Sequence, residues 1–469
     1  MNKVSTSSSS SSFININSNC NDNQNNNNNN LNNSIVNNYN YIDRVQNICN
    51  HIEVENCSSN NNNNSNRKMI SNNFERVAIV SYVRTPMGGF NGSLASLSAT
   101  ELASIAIRKA IENVNHPKLV ESIDEVLLGN VLSANVGQAP ATQAALGAGI
   151  PDSVPCTAVN KVCASGMKAV MLGVNLIQTD CAKVIVAGGF ESMSNVPYYL
   201  TSARNGYRMG HQQMIDGMIK DGLTDPFGNF HMGLAAERCS KDYSISKQEQ
   251  DEYALNSYRR AQEATKNGWF NEEIVPITIP GTKAKPATVV STDDEVSNAN
   301  FEKLGNLQPS FQKENGTVTA GNASTISDGA SILILMSESK AKEMGVPVIA
   351  YILGMADAAQ EPIQFTTAPA LAIPKALSKA GISQDQVDYY EINEAFSVVA
   401  LANMKKLNIP HSKINVFGGA VSMGHPLGSS GSRIICTLLS VLKQRGGKIG
   451  VASICNGGGG ASAIVISRE

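Results

Sequence analysis

The rhythm of apolar and polar positions divides the chain in two. Up to about residue 73 apolar side chains are sparse, and the polar runs Ser7–Ser12, Asn25–Asn30 and Asn60–Asn64 dominate. A segment so poor in apolar surface cannot offset its chain entropy, which predicts a disordered tail over residues 1–73. One island interrupts it, with Ile42, Val45, Ile48 and Ile52 at roughly helical spacing. From Arg76 onward β-branched runs alternate with amphipathic segments and glycine-rich turns. Strands are predicted at Val77–Val83, Val126–Leu128, Thr157–Asn160, Val184–Ala187, Ile332–Met336, Tyr389–Ile392 and Ala463–Ser467. Helices are predicted at Thr100–Glu112, Gly166–Gln178, Gln248–Lys266, Ala370–Ala380 and Glu394–Lys406, with Ser246 and Glu249 forming a capping box. This alternation predicts layered α/β structure.

A short internal echo refines that picture. Gly329–Leu335 (GASILIL) resembles Gly460–Ile466 (GASAIVI), and each follows a glycine-rich helix entrance, at Cys163–Gly166 and His425–Gly431. Two similar α/β halves are expected, 74–339 and 340–469, the first carrying an insertion over about 196–318.

Composition narrows the class. A net charge of −2 points to no nucleic-acid or membrane-surface partner, and no run of eighteen apolar residues suggests a transmembrane helix. Nine cysteines without a CxxC pair suit free thiols in a reducing compartment. No Cys/His cluster has zinc spacing.

Four segments carry candidate chemistry. Cys163 in Asn160–Lys168 (NKVCASGMK) lies where a strand gives way to a helix, so amides and macrodipole favour a nucleophilic thiolate. A free cysteine at such a place also reads as a small buried hydrophobe. His425 sits among glycines in Gly418–Gly428, placed as a general base or oxyanion donor. Cys455 precedes four glycines, Gly457–Gly460, whose free amides suit an oxyanion hole; this is neither GxGxxG nor a P-loop. Asn393 in Asn393–Phe396 stands at a strand-to-helix junction, where its amide could hold a water or carbonyl oxygen or simply cap the helix.

Taken together, NKVCASG, NEAF, GGAVSMGHPLG and CNGGGGA resemble the thiolase family, in the family's order and over nearly all of 76–467, and within it the acetoacetyl-CoA thiolases. The resemblance implies a five-layered α/β/α/β/α fold with an inserted loop domain, a homodimer or homotetramer, and a reversible Claisen condensation of two acetyl-CoA to acetoacetyl-CoA and CoA. No cofactor is required. In it Cys163 carries the acyl group, His425 accepts its proton, and Cys455 exchanges a proton with the second acetyl-CoA. Asn393, through a held water, and His425 would stabilise the enolate, and the amides of Cys163 and Gly457 the acylation oxyanion. His231 and Met232 resemble the acyl-pocket HMG stretch; Met232 and Phe365 read equally as core. Ser324 resembles a CoA-contacting serine, and Lys303 either a lysine near the CoA tail or ordinary surface. Some members hold potassium through carbonyls matching Ala320, Gly321, Ala323 and Val421 plus a tyrosine, whose place Phe227 takes here. Phe365-Thr366 stands where the form accepting 2-methyl substrates has Phe-Pro, which points to unbranched acetoacetyl-CoA. The alternatives are a longer-chain 3-ketoacyl-CoA thiolase and a non-catalytic acyl-CoA-binding or interaction protein.

For location, Arg44-Val45 and His51-Ile52 resemble a nonapeptide peroxisomal signal, while Ser467-Arg468-Glu469 is no S-K-L address. Peroxisome is therefore expected first, then cytoplasm. A mitochondrial leader fits less well, Lys3 being the sole basic residue before Arg44.

Overall fold

The computed structural model describes residues 74–281, 286–298 and 301–469. The predicted tail, with its Arg44 and His51 match, lies outside the described residues. The main elements begin with β1 (Val77–Arg84), α1 (Ala99–Val114), β2 (Glu125–Gly129) and α2 (Pro140–Gly147). They continue with β3 (Cys156–Val159), α3 (Ser165–Gln178), β4 (Val184–Ser192), α4 (Met232–Tyr243) and α5 (Lys247–Lys266). The rest are β5 (Ser327–Ser337), β6 (Ala350–Ala359), α6 (Pro369–Ala380), β7 (Tyr389–Ile392), α7 (Ser397–Leu407), α8 (Leu427–Arg445), β8 (Ile449–Asn456) and β9 (Gly460–Arg468).

Hydrogen bonding runs through the strands in the order β7-β8-β9-β6-β1-β5-β4-β2-β3. Three pairs, from Val77↔Ile352 to Ile79↔Ala350, form the seam between β1 and β6. On one side of it β5 lies antiparallel between β1 and β4, and on the other β9 lies antiparallel between β6 and β8. The echoing segments Gly329–Leu335 and Gly460–Ile466 are these two strands.

Period-2 alternation along the strands builds the layers. Ile185, Ala187, Leu333 and Leu335 from one side, with Ala452, Ile454, Ile464 and Ile466 from the other, face α3 and α8 in the centre. Alternate residues Val184, Val186, Ile332 and Ile334 face outward onto α1 and α2. Val451, Ala463 and Val465 do the same for α6 and α7. The result is α/β/α/β/α, with both central helices clamped between sheet faces. Gln250, Asp251, Tyr253 and Ala254 bury one face of α5, which begins at the expected capping box. Among the described residues no helix is long and apolar enough to cross a membrane.

Two expectations shift. The helix expected from Glu394 begins at Ser397, because Phe396 is extended and the Ser397 amide donates to the Asn322 carbonyl. Strands β6 and β8 and helices α2 and α4 are additional elements, while α8 is the helix expected behind the His425–Gly431 entrance.

Candidate active site

Helix α3 begins two residues after Cys163, and α8 begins two residues after His425. Small residues let the two helices cross closely. A β-carbon on Gly166 would lie 2.6 Å from Ser432 Oγ, and one on Gly431 would overlap the Met167 amide. Glycine on both sides therefore brings the two N-termini together. Cys163 and His425 both line one cavity of about 490 Å³, within the range of ordinary ligand pockets.

The turn carrying Cys163 is strained. Val162 has φ 47°, a region a β-branched residue adopts at real cost. Neighbours over-determine it: Asn160 Oδ1 accepts from the Val162 amide (3.0 Å), and Ser165 Oγ donates to the Val162 carbonyl (2.6 Å). Lys161 Nζ is tied to Asp357 and donates to Ser462 Oγ (2.8 Å), both across in the second half. The backbone amides of Gly457 and of Cys163 itself act to lower the Cys163 thiol. They do not make it a resting thiolate, contrary to expectation. Burial raises the thiol to about 11 and outweighs the amides, so the nucleophile needs a base.

That base is prepared by its other ring nitrogen. Ser430 Oγ donates to the Pro426 carbonyl (2.9 Å), so toward His425 Nδ1, 2.5 Å away, it can only accept. Nδ1 therefore carries the hydrogen and Nε2 is left as an acceptor. Burial, with Arg433 second, lowers His425 to about 3, so it is neutral at physiological pH.

Cys455 is the penultimate residue of β8, wholly buried. Burial raises its thiol well above the ordinary value, and Cys163 adds to the rise. It belongs to the apolar cluster behind the cavity with Met232, Phe365 and Phe396 rather than to the cavity lining. The following turn carries Gly458 and Gly459 at φ 83° and 88°, and Gly457 lines the cavity. Asn393 is buried, its Nδ2 3.5 Å from His425 Nε2 and its Oδ1 3.4 Å from Arg433 Nη2.

His231, Met232, Phe365 and Ser324 line the same cavity. His231 caps α4 by accepting the Gly233 amide (3.0 Å) and stacks on Phe311. Met232 and Phe365 are wall and core at once. Lys303 is exposed and does not line the cavity. At the implied potassium site, Ala320 and Ala323 line the cavity, while Val421 is wholly buried with its amide on Glu394. Phe227, 82% exposed, offers no hydroxyl and covers nothing there, so the tyrosine part of that set is not reproduced.

Sequence reasoning missed three supports. Glu191 is fully buried and accepts from the amides of Val131, Leu132 and Gly428 (2.9–3.1 Å) and from Asn130 Nδ2. It ties the His425 loop to the first half, and burial raises its carboxyl to about 7. Glu394 accepts from Tyr253, Ser257, Asn415 and the Val421 amide, fixing the turn beside Asn393. Ser430 sets the tautomer. The readable signal for Glu191 was one carboxylate in an otherwise apolar strand.

Comparison with known proteins agrees with this geometry. Residues 77–339 match the family model described as thiolase, N-terminal domain, and 346–468 the one described as thiolase, C-terminal domain. Acetyl-CoA acetyltransferase 2 of Arabidopsis thaliana is 57% identical over 84% of this chain and 98% of its own. The cytosolic acetyl-CoA acetyltransferase of Gibberella zeae is 56% identical over 84% and 99%. Among solved structures, an Ascaris suum thiolase in complex with coenzyme A superposes with TM-score 0.79 at 43% identity, covering 84% of this chain and all of that one. The Bacillus anthracis acetyl-CoA acetyltransferase gives 0.82 at 40%, covering 85% and 100%. With both domain models matched in order along 77–468, the chain belongs to the thiolase family.

Proposed function

We propose that this acyltransferase interconverts two acetyl-CoA with acetoacetyl-CoA and CoA through an acetyl-Cys163 thioester. The observation that carries the reading is the convergence of two helix N-termini, bearing a thiol and a neutral imidazole, on one largely apolar cavity faced by Gly457. His425 Nε2 takes the Cys163 proton as the sulfur attacks the first thioester. The amides of Gly457 and Cys163 face the oxyanion; one such donor is typically worth ~3 kcal/mol. CoA leaves with the proton from His425. For the second acetyl-CoA, Cys455 relays the methyl proton toward His425, giving an enolate beside an imidazolium. The enolate carbon then attacks the acetyl carbonyl, and Cys163 departs and recovers the proton. Asn393 and His425 border the enolate oxygen.

No metal is given a step. Potassium, if held by the carbonyls of Ala320, Gly321, Ala323 and Val421, would steady the loop carrying Ser324. Ser324 and His231 serve the CoA arm, and Lys303 its distal end. Met232 and Phe365 close the acyl end and select short, unbranched chains. The cytosol is the proposed compartment, on the named location of the Gibberella relative. An oligomer is proposed as well: β3 is a sheet edge with Thr157 and Ala158 exposed, ready to meet a second copy.

The test is CoA-dependent loss of acetoacetyl-CoA absorbance. Wild type should be active and poor on longer or 2-methyl-branched 3-ketoacyl-CoAs, and Cys163→Ser should lose at least about 1,000-fold in kcat. A folded wild type inactive on every chain length would sink the reading.

A further inference from the structure

Arg433 is completely buried in the second turn of α8, three residues beyond Ser430 and so on the same helix face. Burying a guanidinium is expensive unless it is paired and hydrogen-bonded. Around it stand Glu391, Glu273, Glu394 and a second arginine, Arg84. Arg84 is itself satisfied by Glu273 (2.5 Å) and Asp293 (2.6 Å). Arg433 Nη1 reaches Thr437 Oγ1 (3.5 Å), and Nη2 reaches Asn393 Oδ1 (3.4 Å).

The second contact has a directional consequence. A guanidinium only donates, so the Asn393 atom facing it must be the oxygen. The Asn393 NH2 is thereby turned to the other side, where it lies 3.5 Å from His425 Nε2. An NH2 there favours a lone pair on Nε2. A flipped amide would set two donors against each other at Arg433 and would offer Nε2 an acceptor, drawing the imidazole hydrogen onto the wrong nitrogen. The same hydrogen placement follows independently from the other end, where Ser430, committed to Pro426, accepts from Nδ1. Guanidinium, amide, imidazole, hydroxyl and carbonyl thus form one chain in which each donor facing the next group meets an acceptor, although the Arg433 Nε, outside that chain, has no hydrogen-bond partner among the described residues.

We infer that Arg433 is a positioning residue that acts through Asn393 to keep His425 Nε2 unprotonated. The inference rests on the roles proposed above for His425 and Asn393. Its positive charge acts in the same sense, because a cation behind the ring disfavours a second one on it. Arg433 is therefore more than core filling.

The test is steady-state thiolysis of acetoacetyl-CoA by the full chain across pH 5–9, for Arg433→Lys, Arg433→Met and the Asn393→Ala double variants. Arg433→Lys should lose about 10- to 100-fold in kcat with KM within about threefold, the size of losing one charge-assisted contact. In an Asn393→Ala background the same change should cost less than about threefold, since the pathway is already cut. Arg433→Met should bring an acid limb into the pH profile as His425 regains proton affinity. Undiminished kcat in Arg433→Lys, full additivity with Asn393→Ala, or an unmoved profile in Arg433→Met would each overturn the inference. Should Arg433→Met not fold, Asn393→Asp decides: it still accepts from Arg433 but offers His425 no N–H. It should be as impaired as Asn393→Ala, and near-wild-type activity would overturn the proposal. An inactive wild type would defeat the proposed function instead, so the two failures are distinguishable.

Discussion

The two central helices begin alike and solve the same problem in opposite ways. Each follows its reactive residue by two positions, in matching places of the two halves. The Cys163 turn is made from Val162 at φ 47°, held by side-chain ties to Asn160, Ser165 and, through Lys161, the opposite half. The His425 turn uses Gly424 at φ 111°, a conformation open to glycine with little strain. Their titration differs as well. Burial raises the Cys163 thiol to about 11 and lowers His425 to about 3, so each is kept neutral. One desolvated cavity thus holds a protonated acid and an unprotonated base, each uncharged at rest. Helix N-termini alone would have favoured the thiolate; burial decides otherwise.

The comparison can be broken most severely at Gly424. Gly424→Ala places a β-carbon over Ser327 Oγ and forces a glycine-only backbone region, so a loss of about 3 kcal/mol is expected in urea unfolding. A loss under about 1 kcal/mol would mean the turn adapts.

Next in size is the pH dependence. Unfolded imidazole takes a proton below about 6.5, whereas folded His425 resists to about 3. In that window the unfolded state binds more protons, so stability falls as pH falls. By pH 5 His425 alone should cost on the order of 2 kcal/mol. Cys163 fails at the other end: the unfolded thiol ionises near 9 and the folded one near 11, so stability falls as pH rises through that range. Thermal melts from pH 4.5 to 10.5 should show His425→Asn flattening the acid slope and Cys163→Ser the alkaline one. Unchanged slopes in both would contradict the assigned shifts.

The smallest effect isolates the Val162 strain. Val162→Gly should be more stable than Val162→Ala by about 1 kcal/mol, because the side chains removed are nearly the same and only glycine accepts the positive φ freely. Calorimetric melting of the pair measures this directly. The reverse order would show that the turn relaxes once the valine is gone.

Much of this could be read before any coordinates, and the gaps have physical causes. Tyr389–Ile392 appears as expected, and Ser246 with Glu249 caps α5, because a short run of aromatic and β-branched residues and a capping box are local signals. Strand β6 escaped because Gly354 interrupts its apolar run Tyr351–Leu353 and its second half, Ala356–Ala359, is small residues around Asp357. Helix α8 was legible only as a glycine-rich entrance, without bounds, because it opens on Gly428-Ser429-Ser430-Gly431-Ser432, poor helix formers that allow close approach to α3. Cys163, His425 and Gly457 were legible as motifs, since their glycine settings are contiguous. Glu191, Ser430 and Arg433 were not. Glu191 and Arg433 take their meaning from partners far along the chain, and a lone charge in an apolar element looks the same whichever partner it meets; Ser430 has its partners Pro426 and His425 within five residues but is one serine among several in its run.

The seam has a consequence for how the chain comes to exist. Strand β1 ends at Arg84, yet its two neighbours, β5 and β6, begin at Ser327 and Ala350. At about 5–20 residues per second of synthesis, β1 waits on the order of tens of seconds with both edges open. Early emergence with late pairing makes this strand the point where a growing chain is most exposed to wrong partners, and where a chaperone would have most to do.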